Sequence, residues 1–236
     1  MSASTTAGRQ SDQRAHSSPP ATGMPGVSPT PSGAAVASIA GRQLLVALRL
    51  LIAMTIILGI LYPAAILGFG QLVVPAAANG SMLAGPDGQP VGSRLIGQEF
   101  AGDQWFAGRP SAAGDGYDSM SSGGSNLAAD SQELTGLIDV RRSEIAAANG
   151  VEAAAVPADA VTASASGLDP DISPQYALLQ VDRIAGARGL SADEVNDLVQ
   201  AHIQGPALGF IGQERVNVLE LNLALQSLAD AAGDGG

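Results

Sequence analysis

The stretch LLIAMTIILGILYPAAILGF, Leu50 to Phe69, decides the architecture of this chain. It runs 20 residues without a charge, the length a helix needs to cross roughly 30 Å of hydrocarbon. Leu44 to Leu48 extend the apolar run ahead of Arg49, whose aliphatic stem reaches toward lipid headgroups. Pro63 is tolerated in a lipid helix where neighbours satisfy the carbonyl it frees. Two other readings compete: a buried core helix, and a cleaved signal peptide, for which Ala76-Ala77-Ala78 supplies small residues at a plausible spacing. The run exceeds the roughly 7 to 15 residues of a signal h-region, and Pro75 sits beside the would-be cut. A membrane anchor carried by Leu50, Ile57, Leu61, Tyr62, Pro63 and Phe69 is therefore expected.

Outward from the span, the flanks set an orientation. Arg42 and Arg49 lie just before it, and the first basic residue beyond it is Arg94, about 25 residues past Phe69. The positive-inside rule then places the N-terminus in the cytoplasm and the C-terminal part outside, in a cell (inner) membrane crossed once. From Gly70 onward seven arginines face twenty-one aspartates and glutamates, a net −14. No lysine occurs, and no basic stripe exists to release counterions from phosphates, so no nucleic-acid partner is expected. The absence of cysteine removes disulfides and thiolate metal sites. Residues 1–41 are mostly Ser, Thr, Pro, Gly and Ala without apolar period, and read as a disordered cytoplasmic tail.

The expected fold class is a single-pass transmembrane helix (residues 42–72 with its flank) followed by an α+β, mixed α/β extracytoplasmic domain over residues 75–230 and a disordered end, 231–236. PVGSRLIGQEF and DQWFAGRPS suit short strands and turns. Asp130 with Glu133 makes a capping-box start for a helix closed by Asn149-Gly150. A second helix is expected from Ser173, with Pro174 at its first position, to a stop at Gly189. A third is capped by Ser191 and Glu194 and ended by Gly205-Pro206. Val216 to Leu228 reads as a strand leading into a helix.

Catalytic constellations are sparse. His16 lies in the tail and His202 late in an amphipathic helix, and scattered carboxylates give no assignable acid–base pair. Ser121 to Ala128, SSGGSNLA, contains Ser122, Gly123, Gly124, Ser125 and Asn126, but lacks the Lys of a phosphate loop. Arg109, between aromatic and small residues, is expected in a structural ion pair or a stacking contact. Leu95-Ile96-Gly97-Gln98 is echoed by Phe210-Ile211-Gly212-Gln213, either as two strand-to-turn glycines or as two amides, Gln98 and Gln213, at one contact surface. The small-residue run VTASASGLDPDIS, with Thr162, Ser164, Ser166, Gly167 and Asp169, holds no cation for phosphate and is too apolar at its ends for a free linker. It reads as a packed turn or contact surface.

Tyr62-Pro63, Ala78 to Ser81 (ANGS), LIGQ-F, F-GRPSA, SGGSNLA, VTASASGLD-DI-P-A and FIGQ-VN-LELNLAL, which carries Asn217, Glu220 and Asn222, follow one another in this order. Over residues 44 to 228 the chain resembles the C subunit of the Kdp-type potassium-transporting ATPase. The resemblance implies a non-catalytic subunit that helps assemble a potassium pump and raises the ATP affinity of its hydrolytic subunit as a catalytic chaperone. Its implied partners are the P-type ATP-hydrolysing subunit, the potassium-translocating subunit and the lipid bilayer. No cofactor or metal is expected on the chain itself, ATP and K⁺ acting at the level of the complex. The competing readings are a nucleotide-binding regulator with a cytoplasmic domain and a membrane-anchored external hydrolase.

Overall fold

The structure, a computed structural model, describes residues 33–233. The proposed tail over residues 1–32 and the final residues 234–236 lie outside the described residues. The chain divides into two compact units, Met1–Tyr62 and Pro63–Gly236.

In the first unit, helix α1 (Gly33–Ile56) leads into a π-helical turn, Ile57–Leu61. Residues 33–41, assigned by composition to the tail, are thus helical. The helical stretch Ala40–Val73 is long and apolar enough to cross a membrane, and none of its most apolar window is buried within the chain. Leu50, Ile57, Leu61, Tyr62, Pro63 and Phe69 are all exposed. A core helix would be covered by its own protein, so that alternative falls. The π turn has a local cause. Pro63 offers no N–H, and in an α-helix its ring would press on the carbonyl four residues back. The Tyr62 N–H reaches Ile57 O instead, and the widened turn relieves that crowding.

The second unit begins with the rest of helix α2 (Tyr62–Val73) and a short helix α3 (Pro75–Ala78). The side-chain amides of Gln71 and Asn79 exchange two hydrogen bonds of 3.1 Å. Strands β1 (Met82–Ala84) and β2 (Pro90–Ser93) then form an antiparallel hairpin. From Arg94 to Ser131 no helix or strand forms, which corrects the strands expected in DQWFAGRPS and beyond Ser93 in PVGSRLIGQEF. Backbone groups there still need partners, and side chains supply them. Asn222 Oδ1 accepts the Phe106 N–H and its Nδ2 donates to Phe106 O, both at 2.9 Å. Gln180 does the same for Ala107, at 2.8 and 3.2 Å. Arg183 donates to Trp105 O from both terminal nitrogens, each at 3.1 Å.

Helix α4 is Gln132–Asn149, capped by Ser131, whose hydroxyl accepts the Leu134 N–H at 3.4 Å. The cap is therefore one residue later than the expected Asp130. The chain continues through a 3-10 turn (Ala153–Ala155), α5 (Ala158–Val161), β3 (Asp171–Ile172), α6 (Pro174–Leu179), α7 (Val181–Arg188), α8 (Ala192–Ala201), β4 (Val216–Asn217) and α9 (Val218–Gly233). The single helix expected from Ser173 to Gly189 is two helices, interrupted at Gln180 (φ −89°, ψ −7°), whose buried amide is turned to Ala107. Helix α8 carries the expected Ser191/Glu194 capping box but stops at Ala201, short of Gly205-Pro206. The strand-to-helix passage at Val216 forms as expected, and α9 runs on to Gly233, through residues 231–233. Strands β3 and β4 pair antiparallel, Asp171 with Asn217 and Ile172 with Val216. The result is a helix-rich domain with two small sheets. Phe106 from the irregular segment, Ile184 of α7, Val195 and Val199 of α8, and Leu221 and Leu225 of α9 form one fully buried core.

Candidate functional site

The small-residue run seen in the sequence is a packed seam. Ser122 Oγ and the Gly123 N–H both donate to Ser166 O, each at 2.9 Å. Ser111 Oγ donates to Gly167 O at 2.6 Å. Gly167 sits at φ +67°, where an added Cβ would stand 2.6 Å from both Ala113 N and Gly123 O, so both backbone shape and space require glycine. Gly124 faces the backbone of Ala165. Ser164 and Ser166 lie 3.3 Å apart through their hydroxyls. Ser125 and Asn126 are exposed at the outer end of this seam, with Asn126 at φ +53°. Two strips of small residues thus lie backbone to backbone, because any larger side chain would hold them apart.

Arg109 closes the seam. Its Nη1 donates to Asp169 Oδ2 at 2.9 Å, and Nε and Nη2 donate to Thr162 O at 3.4 and 3.3 Å. Of the two uses expected for Arg109, the ion pair is the one that forms; the guanidinium stacked on an aromatic ring is that of Arg188, 4.3 Å from the Trp105 centroid. The Tyr117 hydroxyl donates to Arg109 O, and burial, with a smaller contribution from Glu99, raises its pKa.

Asn217 and Glu220 organise the floor of the β3–β4 sheet. Asn217 Nδ2 donates to Arg94 O at 2.8 Å and Asp171 Oδ1 at 3.1 Å, while its Oδ1 accepts the Glu220 N–H at 3.1 Å. Glu220 pairs with Arg94 at 3.5 Å, and Asp171 with Arg215 at 3.0 Å. Burial raises the Asp171 pKa, the Asn217 hydrogen bond opposing it and nearby Asp169 adding to it.

The two glycines of the repeated string do different work. Gly97 is buried, its N–H on Leu168 O at 2.8 Å, and a Cβ there would meet Asp169 O at 2.7 Å. Gly212 stands at φ +94° with nothing nearby. Gln98 lines a cavity of about 10 Å³ with Tyr117 and Asp169, room for no more than one water. Gln213 is exposed on a separate groove shared with Gly212, Arg109, Asp169 and Arg215. Asn222, grouped with the contact candidates, is 1% exposed and serves the interior. Sequence reading missed Gln180 and Arg183; their only signal was polar residues interrupting the apolar spacing of 176–184.

Chemically, the arrangement holds strips of backbone together through side-chain hydrogen bonds and ion pairs. All seven arginines beyond the span are engaged internally: four in ion pairs, Arg141 on Val161 O, Arg183 on Trp105 O, and Arg188 on Gln104 O. The Gly123 N–H that a phosphate loop would aim at its ligand is spent on Ser166 O. Among the described residues no three His, Asp or Glu side chains converge to hold a metal ion.

The sequence model of the family described as KdpC, the K⁺-transporting ATPase c chain, matches residues 44–227. A potassium-transporting ATPase KdpC subunit of Kineococcus radiotolerans is 56% identical over 188 residues, covering 80% of this chain and 95% of the relative. The KdpC subunit of Caulobacter vibrioides is 51% identical over 174 residues, 73% of this chain and 87% of its own length. That of Mycobacterium bovis is 47% identical over 188 residues, 79% and 99% respectively. With the family model matched over residues 44–227 and about half of its residues identical to these relatives over most of their length, the chain belongs to the KdpC family, the non-catalytic c chain of the K⁺-transporting ATPase.

Proposed function

We propose that this subunit works by contact. The helix within Ala40–Val73 docks among the membrane helices of the pump with its N-terminus cytoplasmic, and the acidic domain sits outside, over the mouth of the potassium-translocating subunit. Through those contacts it stabilises the assembly and raises the ATP affinity or activity of the P-type hydrolytic subunit, with ATP and K⁺ bound elsewhere in the complex. The observation that carries this reading is the internal engagement of every arginine beyond the span. It leaves a strongly acidic exterior, suited to a K⁺-facing surface and unsuited to a nucleotide. The only basic residues beside the span, Arg42 and Arg49, precede it.

The test is a reconstituted pump prepared with and without this chain. Loss of co-assembly, or a higher ATP requirement for K⁺-stimulated hydrolysis, is expected without it; unchanged assembly with unchanged ATP and K⁺ dependence overturns the reading. The topology half is tested by Ser122→Cys, a unique thiol in this cysteine-free chain. A membrane-impermeant maleimide should label it from outside intact cells, and labelling only after lysis would place the domain inside.

A further inference from the structure

Residues Gln204 to Arg215 form a hairpin that projects its apolar side chains outward. At its base Gln204 and Arg215 exchange backbone hydrogen bonds of 2.8 and 3.0 Å, and nearer the tip Ala207 and Ile211 exchange two of 2.9 Å. The tip turns through Leu208 at φ +55° and Gly209 at φ +81°. A leucine in the left-handed region costs roughly 1 kcal/mol or more, so the backbone bonds impose this shape against local preference. Leu208 is 82% exposed, Phe210 77% and Ile211 53%. The base is held by the Arg215–Asp171 ion pair and by Gln204 Nε2 donating to Glu220 Oε2 at 3.0 Å. A shaped, braced turn therefore presents three large apolar side chains to water on a domain that is otherwise strongly acidic.

We propose that this hairpin is a docking knob whose Leu208, Phe210 and Ile211 enter an uncharged, apolar recess on another subunit of the pump. The inference rests on the functional reading above and names one surface of it. The loop's own composition selects a protein over a lipid surface. Loops that enter a bilayer interface pair apolar side chains with free Lys or Arg for anionic headgroups. Here the one cation, Arg215, is held by Asp171, and the surrounding domain repels anionic lipid. Membership of a multi-chain pump supplies the partner.

Two measurements on the full chain in the assembled pump test it. In Ile211→Cys, which leaves Leu208 and Phe210 in place, a water-soluble maleimide should react at least about tenfold more slowly in the pump than in the isolated detergent-solubilised chain, as for an anchor buried at an interface centre. Leu208→Ser with Phe210→Ser should weaken retention of the chain on the other subunits by about tenfold or more, with the melting temperature of the isolated chain unchanged. Equal thiol reactivity in both states, or wild-type retention of the double variant, overturns the proposal. Protection of the thiol in the isolated chain on phosphatidylglycerol-containing vesicles overturns it in favour of lipid, and protection that grows with the concentration of the isolated chain does so in favour of a second copy. If the wild-type chain itself fails to join the pump subunits, the functional reading fails, and that outcome is separate from any effect of the hairpin variants.

Discussion

Asn222 shows how much one amide does in this domain. It occupies a site 1% exposed and satisfies both backbone groups of Phe106, itself fully buried. Truncation leaves a buried N–H and a buried carbonyl without partners, each costing about 1–3 kcal/mol. Asn222→Ala should therefore lower unfolding stability by on the order of 2–4 kcal/mol, read from urea denaturation of the isolated chain. A loss below about 1 kcal/mol would show that water replaces the amide. Tyr176 gives a second residue-level expectation. Burial pushes its phenol up to about 12 from the ordinary 10.0, with Arg183 opposing that shift. The folded state thus keeps this proton after the unfolded chain has lost it. The associated stability is fully present below the unfolded value and is lost as pH climbs from there through the folded value. Alkaline titration followed by phenolate absorbance should show Tyr176 ionising near 12, and Tyr176→Phe should flatten the alkaline fall in stability that Tyr117, also raised by burial, does not account for.

At the scale of elements, the irregular passage from Arg94 to Ser131 behaves as a strand would without being one, because Asn222, Gln180 and Arg183 stand where a neighbouring strand's backbone would be. Its amides should be protected accordingly. In hydrogen exchange the Ala107 N–H, on Gln180 Oε1 at 2.8 Å, should exchange as slowly as core helix amides, and Gln180→Ala should release it while leaving the α8 amides slow. Fast exchange in the wild type would mean that the clamp opens readily. The same passage marks the boundary of what the sequence discloses. Ser191 and Glu194 announced α8 because a capping box is a local device, complete within four residues. The long apolar helix was legible because length and apolarity need no partner to be recognised. The break at Gln180 and the absence of strands around Trp105 depend on hydrogen bonds between groups more than 70 residues apart in the chain, which no local pattern encodes. The cap of α4 moved from Asp130 to Ser131 because both residue types cap well and only the backbone path chooses between them. Within the candidate site, the tight packing of Gly167 and the pairing of Arg109 were foreseeable in kind, whereas Asp169 and Thr162 as the partners of Arg109 were not.

For the molecule as a whole, charge is the property that joins sequence to the proposed role. A domain of net −14 whose arginines are each engaged by groups of the same chain acts on surrounding cations as a diffuse negative field. Such a field responds to charge and not to ion size, so it raises local K⁺ without distinguishing it from Rb⁺ or Na⁺. It is also screened, over about 30 Å at 0.01 M salt but only about 10 Å at 0.1 M. Replacing the exposed Asp115, Glu133, Glu152, Asp193 and Asp197 by their amides should therefore raise the K⁺ concentration that half-activates the reconstituted pump, by roughly twofold or less at about 0.01 M ionic strength. The shift should be the same for Rb⁺ and should vanish as an inert organic salt brings the ionic strength toward about 0.5 M. A shift that persists at high salt, or that changes K⁺ and Rb⁺ unequally, would mean that one of these carboxylates touches the ion or its gate directly, and the domain would then be part of the filter and not a field above it.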